Sequence, residues 1–309
     1  MKKLFVTGAS GLLGSNIITS APTDFKKFGL DLNDNVVFED CKLYKADLTK
    51  KNQLNIIKEE QPDLVIHCAA YVNVDGCEKE PDKAHLGNVV TTENIAEICE
   101  KVGSFLIHIS TDSVFDGKKG NYSEEDATNP INVYGKTKLE AEKAIQNYNL
   151  DYCIARTNIY GWNKLDKYSI AEWMINRFEK NEEIPAFYDT IFSPILVNNL
   201  TRALFEIYEK KITGILHTAG SEKCSKYDFA NYISEVFNFD TNLIKKTSIE
   251  TLNLQAKRGK NLGLNTKKAQ KILDTKLLNA KQGLEEMKAL KEESYVKKLK
   301  IAWNKKLLL

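Results

Sequence analysis

The chain has 309 residues, 42% hydrophobic and 28% charged, with 44 Lys and Arg against 42 Asp and Glu for a formal net charge of +2. This is enough apolar material for a substantial core and excludes a disordered or low-complexity chain. The near balance of charge argues against nucleic acid as a partner, because the basic excess of the last third (Lys257, Arg258, Lys260, Lys267, Lys268, Lys297, Lys298, Lys305, Lys306) never forms one long block.

In chain order, short β-rich runs alternate with stretches of helical period. A strand over 4–6 is followed by a helix from Leu12, then FGLDL (28–32), KLYKADL (42–48), a helix over 54–60 and DLVIHCAA (63–70). A helix over 84–102, strand FLIHIST (105–111), a helix over 134–148 and strand DYCIARTNIYG (151–161) continue the pattern. Such alternation predicts βαβ crossovers: an α/β fold with a doubly wound parallel sheet of the Rossmann kind. After Gly161 come an aromatic-rich helix (169–179), AFYDTIFSPI, a helix over 197–210 and GILHTAG (214–220). The expected organisation is a dinucleotide-binding domain over 1–160 with return elements at about 190–220. Residues 161–309 are expected to form mainly a smaller C-terminal α/β substrate lobe and a C-terminal helix that docks by one face, with Trp303 among its apolar residues.

Six scattered cysteines without a CxxC pair are read as reduced, structural thiols. A strand begins directly after Met-Lys-Lys, and no apolar run approaches the ~18 residues of a membrane span, so the expected location is cytoplasmic and no membrane partner is expected. The oligomeric state is left open, with a homodimer among the alternatives.

The stretch VTGASGLLGSN (6–16) places glycines at 8, 11 and 14 between a strand and a helix. There Gly8 takes the tight turn, Gly11 lets a pyrophosphate approach bare backbone, and Gly14 lets helix and strand touch. The segment Ser10, Gly11, Leu12, Leu13 and Gly14 then presents helix-start amides to phosphate. Asp31 ends the second strand, where a carboxylate accepts the adenosine ribose hydroxyls and repels a 2′-phosphate. NAD(H) is therefore favoured, while Lys26 and Lys27 keep NADP(H) open. Asp47 and Leu48 end the third strand on the adenine side. Ala69 and Ala70, followed by Tyr71, leave room for the middle of the cofactor.

Tyr134 and Lys138, four apart in a helical segment, emerge on one face, where an ammonium beside the phenol favours phenolate and makes a proton donor. FLIHIST puts Thr111 at the carboxyl end of a parallel strand, where open α/β sheets bind ligands, with Ser110 as the alternative hydroxyl. Thr111 and Tyr134 together suit a carbonyl that becomes an alkoxide as hydride arrives.

Thr7 to Gly14, His67 to Tyr71, Asn88, Ser-Thr-Asp-Ser-Val-Phe-Asp-Gly (110–117), Tyr-Gly-Lys-Thr-Lys (134–138) and Arg156 to Gly161 together resemble the extended short-chain dehydrogenase/reductases, and among them dTDP-4-dehydrorhamnose reductase. The resemblance implies NAD(P)H-dependent reduction of a 4-keto group on a nucleotide-linked deoxysugar, the nucleotide sugar being the small-molecule partner. It also implies Thr111, Tyr134 and Lys138 as the catalytic set, Asn88 as a supporting polar residue, and Val114 and Phe115 bordering the sugar. Three departures fall near the substrate pocket: Ser113 where the family has tyrosine, Arg258-Gly259 for Arg-Pro, and Gly161-Trp162-Asn163. Asn158, Trp162 and Arg258 complete the substrate candidates, Trp162 stacking on a base or packing the lobe, Arg258 reaching a diphosphate or standing in a solvated cluster. His67, His85, His108 and His217 are too dispersed for metal-ligand spacing, so no metal is expected. A same-superfamily epimerase or dehydratase, and a regulatory subunit resembling that of methionine adenosyltransferase, are the alternatives.

Overall fold

The computed structural model describes residues 1–33 and 36–304, with side chains to Lys300; Trp303, Lys305 and Lys306 lie outside the described side chains. The first half runs β1 (Lys2–Thr7), α1 (Leu12–Ser20), β2 (Phe25–Asp31), β3 (Cys41–Lys45), α2 (Asn55–Glu60), β4 (Leu64–His67), α3 (Val74–Lys79), α4 (Pro81–His85), α5 (Thr91–Val102), β5 (Phe105–Thr111), α6 (Val133–Ile145), β6 (Tyr152–Thr157) and β7 (Ile159–Tyr160). It continues with α7 (Ile170–Glu179), β8 (Ile184–Phe187), β9 (Ile191–Phe192), β10 (Ile195–Leu196), α8 (Val197–Glu209), β11 (Gly214–His217), β12 (Cys224–Ser225), α9 (Lys226–Phe237) and β13 (Ile244–Thr247). Helices α10 (Lys267–Ile272), α11 (Ala280–Glu292) and α12 (Tyr295–Asn304) close the chain.

Seven strands form one sheet in the order β11-β6-β5-β4-β1-β2-β3, every pairing parallel. That is the doubly wound order, and its direction reverses between β1 and β4. Strand β1 explains why both faces are covered. Leu4 and Val6 join a core with Ile17, Ile18, Leu200 and Leu204, whereas Phe5 joins Phe28, Ile57, Ile95 and Ile145 on the opposite face. Side chains alternate along a strand, so a continuous apolar run needs helices on both sides. Helix α8 returns to pack on α1, and β11 adds the last strand beside β6.

A second core gathers residues distant in sequence: Tyr160 and Trp162, Met174 and Phe178 of α7, Phe229 and Ile233 of α9, and Leu284, Met287 and Leu299 of the last two helices. Three polar contacts bind this lobe to α1. Asn16 donates through Nδ2 to the Trp162 carbonyl at 2.9 Å, Tyr295 donates through its hydroxyl to Asn16 Oδ1 at 2.8 Å, and the Ser20 hydroxyl meets the Tyr295 hydroxyl at 3.1 Å. All six cysteines are free, and no described helix is long and apolar enough to cross a membrane.

Candidate active site

The sheet direction brings the carboxyl ends of β1, β2, β4 and β5 to one side, and a cavity of about 900 Å³ opens there. Its floor is the glycine turn. Gly8 has φ +64°, and a Cβ there would stand 2.8 Å from the Ala69 nitrogen. A Cβ on Gly14 would stand 2.2 Å from the Gly8 carbonyl oxygen, so helix and turn touch through bare backbone. Helix α1 starts at Gly11 with no side-chain cap, which leaves its first amides and the positive end of its dipole for a ligand.

The cofactor candidates are gathered here. Gly8 and the segment Ser10 to Gly14 line the cavity, as do Asp31, Asp47, Leu48 and the turn Ala69 to Tyr71. Asp31 accepts from the Ser10 amide and hydroxyl, both at 2.8 Å, and from the Asn33 amide at 3.0 Å. Asp47 accepts from the Thr49 hydroxyl at 2.7 Å, a bond that holds its carboxyl below the usual range. Lys26 and Lys27 are engaged elsewhere: Lys26 lies over the Phe28 ring, and the buried Lys27 pairs with Asp40.

Thr111, Tyr134 and Lys138 line the same cavity. The Thr111 hydroxyl lies close enough to the Tyr134 phenol to favour its charged form slightly, and it donates to Asp112 Oδ1 at 3.2 Å. Burial raises the Asp112 carboxyl, which also accepts from Asn158 Nδ2 at 2.7 Å. Asn132 caps α6 by accepting the Gly135 amide at 2.8 Å, fixing the turn that carries Tyr134. Ser110 reaches the wall too, but its hydroxyl is given to the buried Glu142, which pairs with Arg156 at 2.7 Å.

Several expectations are corrected by the packing. The Lys138 amine does not act on the phenol as expected: it donates to the Ile109 carbonyl at 2.7 Å and meets His108 Nε2 at 3.0 Å. Burial pulls Lys138 down to about 8 and pushes the Tyr134 phenol up, the reverse of activation by a neighbouring ammonium. Asn88 is 1% exposed and is not a lining residue; it accepts the Tyr71 amide at 2.7 Å and donates to Thr137 at 2.9 Å, so it positions Tyr71 rather than touching a ligand. It sits in a π-helical turn, Leu86–Val90, a distortion invisible to simple periodicity.

Val114 and Phe115 do not border the cavity. The tight turn after Thr111 rotates them inward, where Phe115 stacks on Tyr122 with centroids 4.2 Å apart, and Ser113 takes the wall position. Trp162 belongs to the lobe core and donates through Nε1 to the Met287 carbonyl at 2.8 Å. Arg258 is tied to Asp75 at 2.8 Å and to its own Ala256 carbonyl at 2.9 Å, away from the lining. Asn158 does line the cavity.

Beyond Asn163, expected near the substrate pocket, the sequence reading missed the loop that runs on to Ser169, four of whose residues also line the cavity: Leu165, Lys167, Tyr168 and Ser169. Its anchor was legible as Ser-x-x-Glu, since Ser169 and Glu172 form a capping box. It also missed Lys226, the first residue of α9, whose ammonium lies within electrostatic reach of Asp112 and Arg258. No spacing rule connects a lobe lysine to a turn 114 residues earlier. Among the described residues, no group of His, Cys, Asp or Glu is arranged to hold a metal.

A dinucleotide-type glycine turn at the switch point, beside a threonine and a Tyr-x-x-x-Lys helix, defines an extended short-chain dehydrogenase/reductase, an NAD(P)-dependent oxidoreductase. The RmlD substrate binding domain family matches residues 1–292, and the chain belongs to that family. It is 33% identical over 260 residues to a probable low-salt glycan biosynthesis reductase, Agl14, of Haloferax volcanii, covering 82% of this chain and 86% of that one. It is 32% identical over 259 residues to methionine adenosyltransferase 2 subunit beta of Bos taurus, covering 79% and 75% respectively. The fold superimposes with a TM-score of 0.82 on dTDP-4-dehydrorhamnose reductase from Bacillus anthracis in complex with NADP, at 28% identity over 94% of this chain and 99% of that one.

Proposed function

We propose that this protein reduces a 4-keto group on a nucleotide-linked deoxysugar, in the cytoplasm, with NADH as the preferred reductant. The observation that carries the reading is that Thr111 and Tyr134 line the same cavity that holds the uncapped glycine turn. The glycine turn and the α1 amides fit a pyrophosphate, and Asp31 fits the adenosine ribose. A nicotinamide dinucleotide held by these residues would supply hydride to the carbonyl carbon.

This chain's residues manage the oxygen. Tyr134 gives its proton to the developing alkoxide, and the Thr111 hydroxyl shares that oxygen. The high phenol pKa suits this role, because a phenol kept neutral at pH 7 has its proton to give. Asp112 orients the Thr111 hydroxyl, and Asn158 holds Asp112 in turn. A carboxylate at Asp31 with Lys26 and Lys27 committed elsewhere supports NAD(H) over NADP(H).

The test is NADH and NADPH oxidation across a panel of 4-keto sugar nucleotides, run beside Tyr134→Phe. Wild type is expected to turn over at least one substrate, with kcat lowered about 10²- to 10⁴-fold in the variant. Equal inertness of both proteins on the whole panel, with tight binding to a second enzyme, would replace this reading with the regulatory one that the methionine adenosyltransferase similarity raises.

A further inference from the structure

His67 and His108 lie side by side in β4 and β5, paired in register with ring centroids 5.4 Å apart, and both are almost wholly buried. The hydrogen bonds fix the first ring. Thr92 gives its one hydroxyl proton to the Asn88 carbonyl at 2.7 Å, so His67 Nε2, 3.2 Å from that hydroxyl oxygen, must donate. His67 Nδ1 is then bare and accepts the Thr7 hydroxyl proton at 2.6 Å. Burial, with Lys138 nearby, drives His67 down to about 3, so it stays neutral.

His108 has no such fixed assignment. Its Nε2 faces the Lys138 amine at 3.0 Å, and its Nδ1 is buried without a hydrogen-bond partner. An ammonium can only donate, so a charged Lys138 requires Nε2 bare and the ring proton on Nδ1. A neutral Lys138 has a lone pair and one donor fewer, so Nε2–H can donate to it while Nδ1 becomes a bare acceptor. Either way the bond between the two side chains survives. The other groups facing Lys138 are Glu142 and the Cys68 thiol, which favour its charge, and the neutral His67; burial outweighs them.

We propose that His108 is a positioning residue for the reaction: its imidazole exchanges tautomer as Lys138 gains or loses a proton, and so keeps the lysine amine anchored against the Ile109 carbonyl in both charge states. The catalytic consequence rests on the reading of Tyr134 as proton donor given above. Delivery leaves a Tyr134 phenolate that solvent reprotonates, and this change of charge in the cavity that both side chains line shifts Lys138 between ammonium and neutral amine. A neutral, buried amine with only a carbonyl beside it has one hydrogen bond; His108 supplies the second.

The chain has only four histidines, so protein labelled with ¹⁵N in its histidine rings gives a simple spectrum, with His108 assigned by its loss in His108→Gln. The ring nitrogens of unliganded wild type are expected to move from the Nδ1–H to the Nε2–H pattern across about pH 8, and Lys138→Met is expected to abolish the change. A single His108 pattern from pH 6 to 10 in wild type overturns the proposal. In turnover, His108→Leu is expected to lower kcat about tenfold or more with the NADH KM within about threefold, and His108→Gln, whose amide both donates and accepts, is expected to recover most of the rate. Equal rates for the leucine and glutamine variants also overturn it. Should the leucine variant fail to fold, the wild-type spectrum decides alone. A tautomer change in a protein inert on every ketosugar would keep this inference and discard the catalytic reading.

Discussion

Replacing Gly14 by alanine tests the glycine turn through two opposed effects of known size. The new Cβ would stand 2.2 Å from the Gly8 carbonyl oxygen, 2.9 Å from its carbon and 3.0 Å from Ala9 Cα, all backbone atoms with no rotamer to swing aside. The turn must retreat by about 1 Å, and it cannot retreat freely, because Gly8 already packs on the Ala69 backbone. Overpacking of this kind costs roughly 1–3 kcal/mol, and a backbone clash belongs at the upper end. Alanine in a helix returns up to about 1 kcal/mol. The net loss is then about 2 kcal/mol, or roughly 4–8 °C in Tm at the 2–4 °C per kcal/mol typical of larger domains. Thermal unfolding by circular dichroism reads the stability, and NADH fluorescence titration reads the cradle. NADH binding is expected to weaken at least about tenfold, because the amides that meet the phosphates move with the turn. A Tm equal to or above wild type, with NADH affinity unchanged, would refute both the packing argument and the assignment of the turn.

Lys138→Met probes the cost of burying the lysine. Its folded pKa of about 8 lies below the usual 10.5, so below pH 8 the folded state carries a proton it disfavours; that cost is of the order of 3 kcal/mol and fades as pH rises from 8 to 10.5. The variant is therefore expected to be inactive yet more stable than wild type at pH 7, with the gain shrinking towards pH 10.5 in denaturant titrations; a pH-independent difference contradicts the burial argument. Asp31→Ala is expected to cut the preference for NADH over NADPH about tenfold in kcat/KM, about 1.4 kcal/mol, by removing the charge that opposes a 2′-phosphate. An unchanged preference would place the discrimination elsewhere.

Much of the framework was legible because it is local. The apolar runs of β1, β4 and β5, the spacing of Gly8, Gly11 and Gly14, and the one-turn separation of Tyr134 and Lys138 each depend on neighbours within a few residues, and strand and helix periods convert them directly into position. The carboxyl ends of parallel strands then had to converge, which placed Thr111, Asp31 and Ala69 around one cavity.

What the sequence could not fix was the direction and company of individual side chains. Val114 and Phe115 follow Thr111 immediately, yet one tight turn sends them towards Tyr122 and leaves Ser113 at the wall. Trp162 finds the Met287 carbonyl 125 residues away, and Arg258 finds Asp75 across 183. Lys138 meets His108 instead of activating the phenol, because a buried amine goes to whatever acceptors the neighbouring strand offers. Composition and periodicity specify elements and their order. The partners of a buried polar group are chosen by long-range packing, since the cost of leaving such a group unpaired is settled only once the whole core has closed around it.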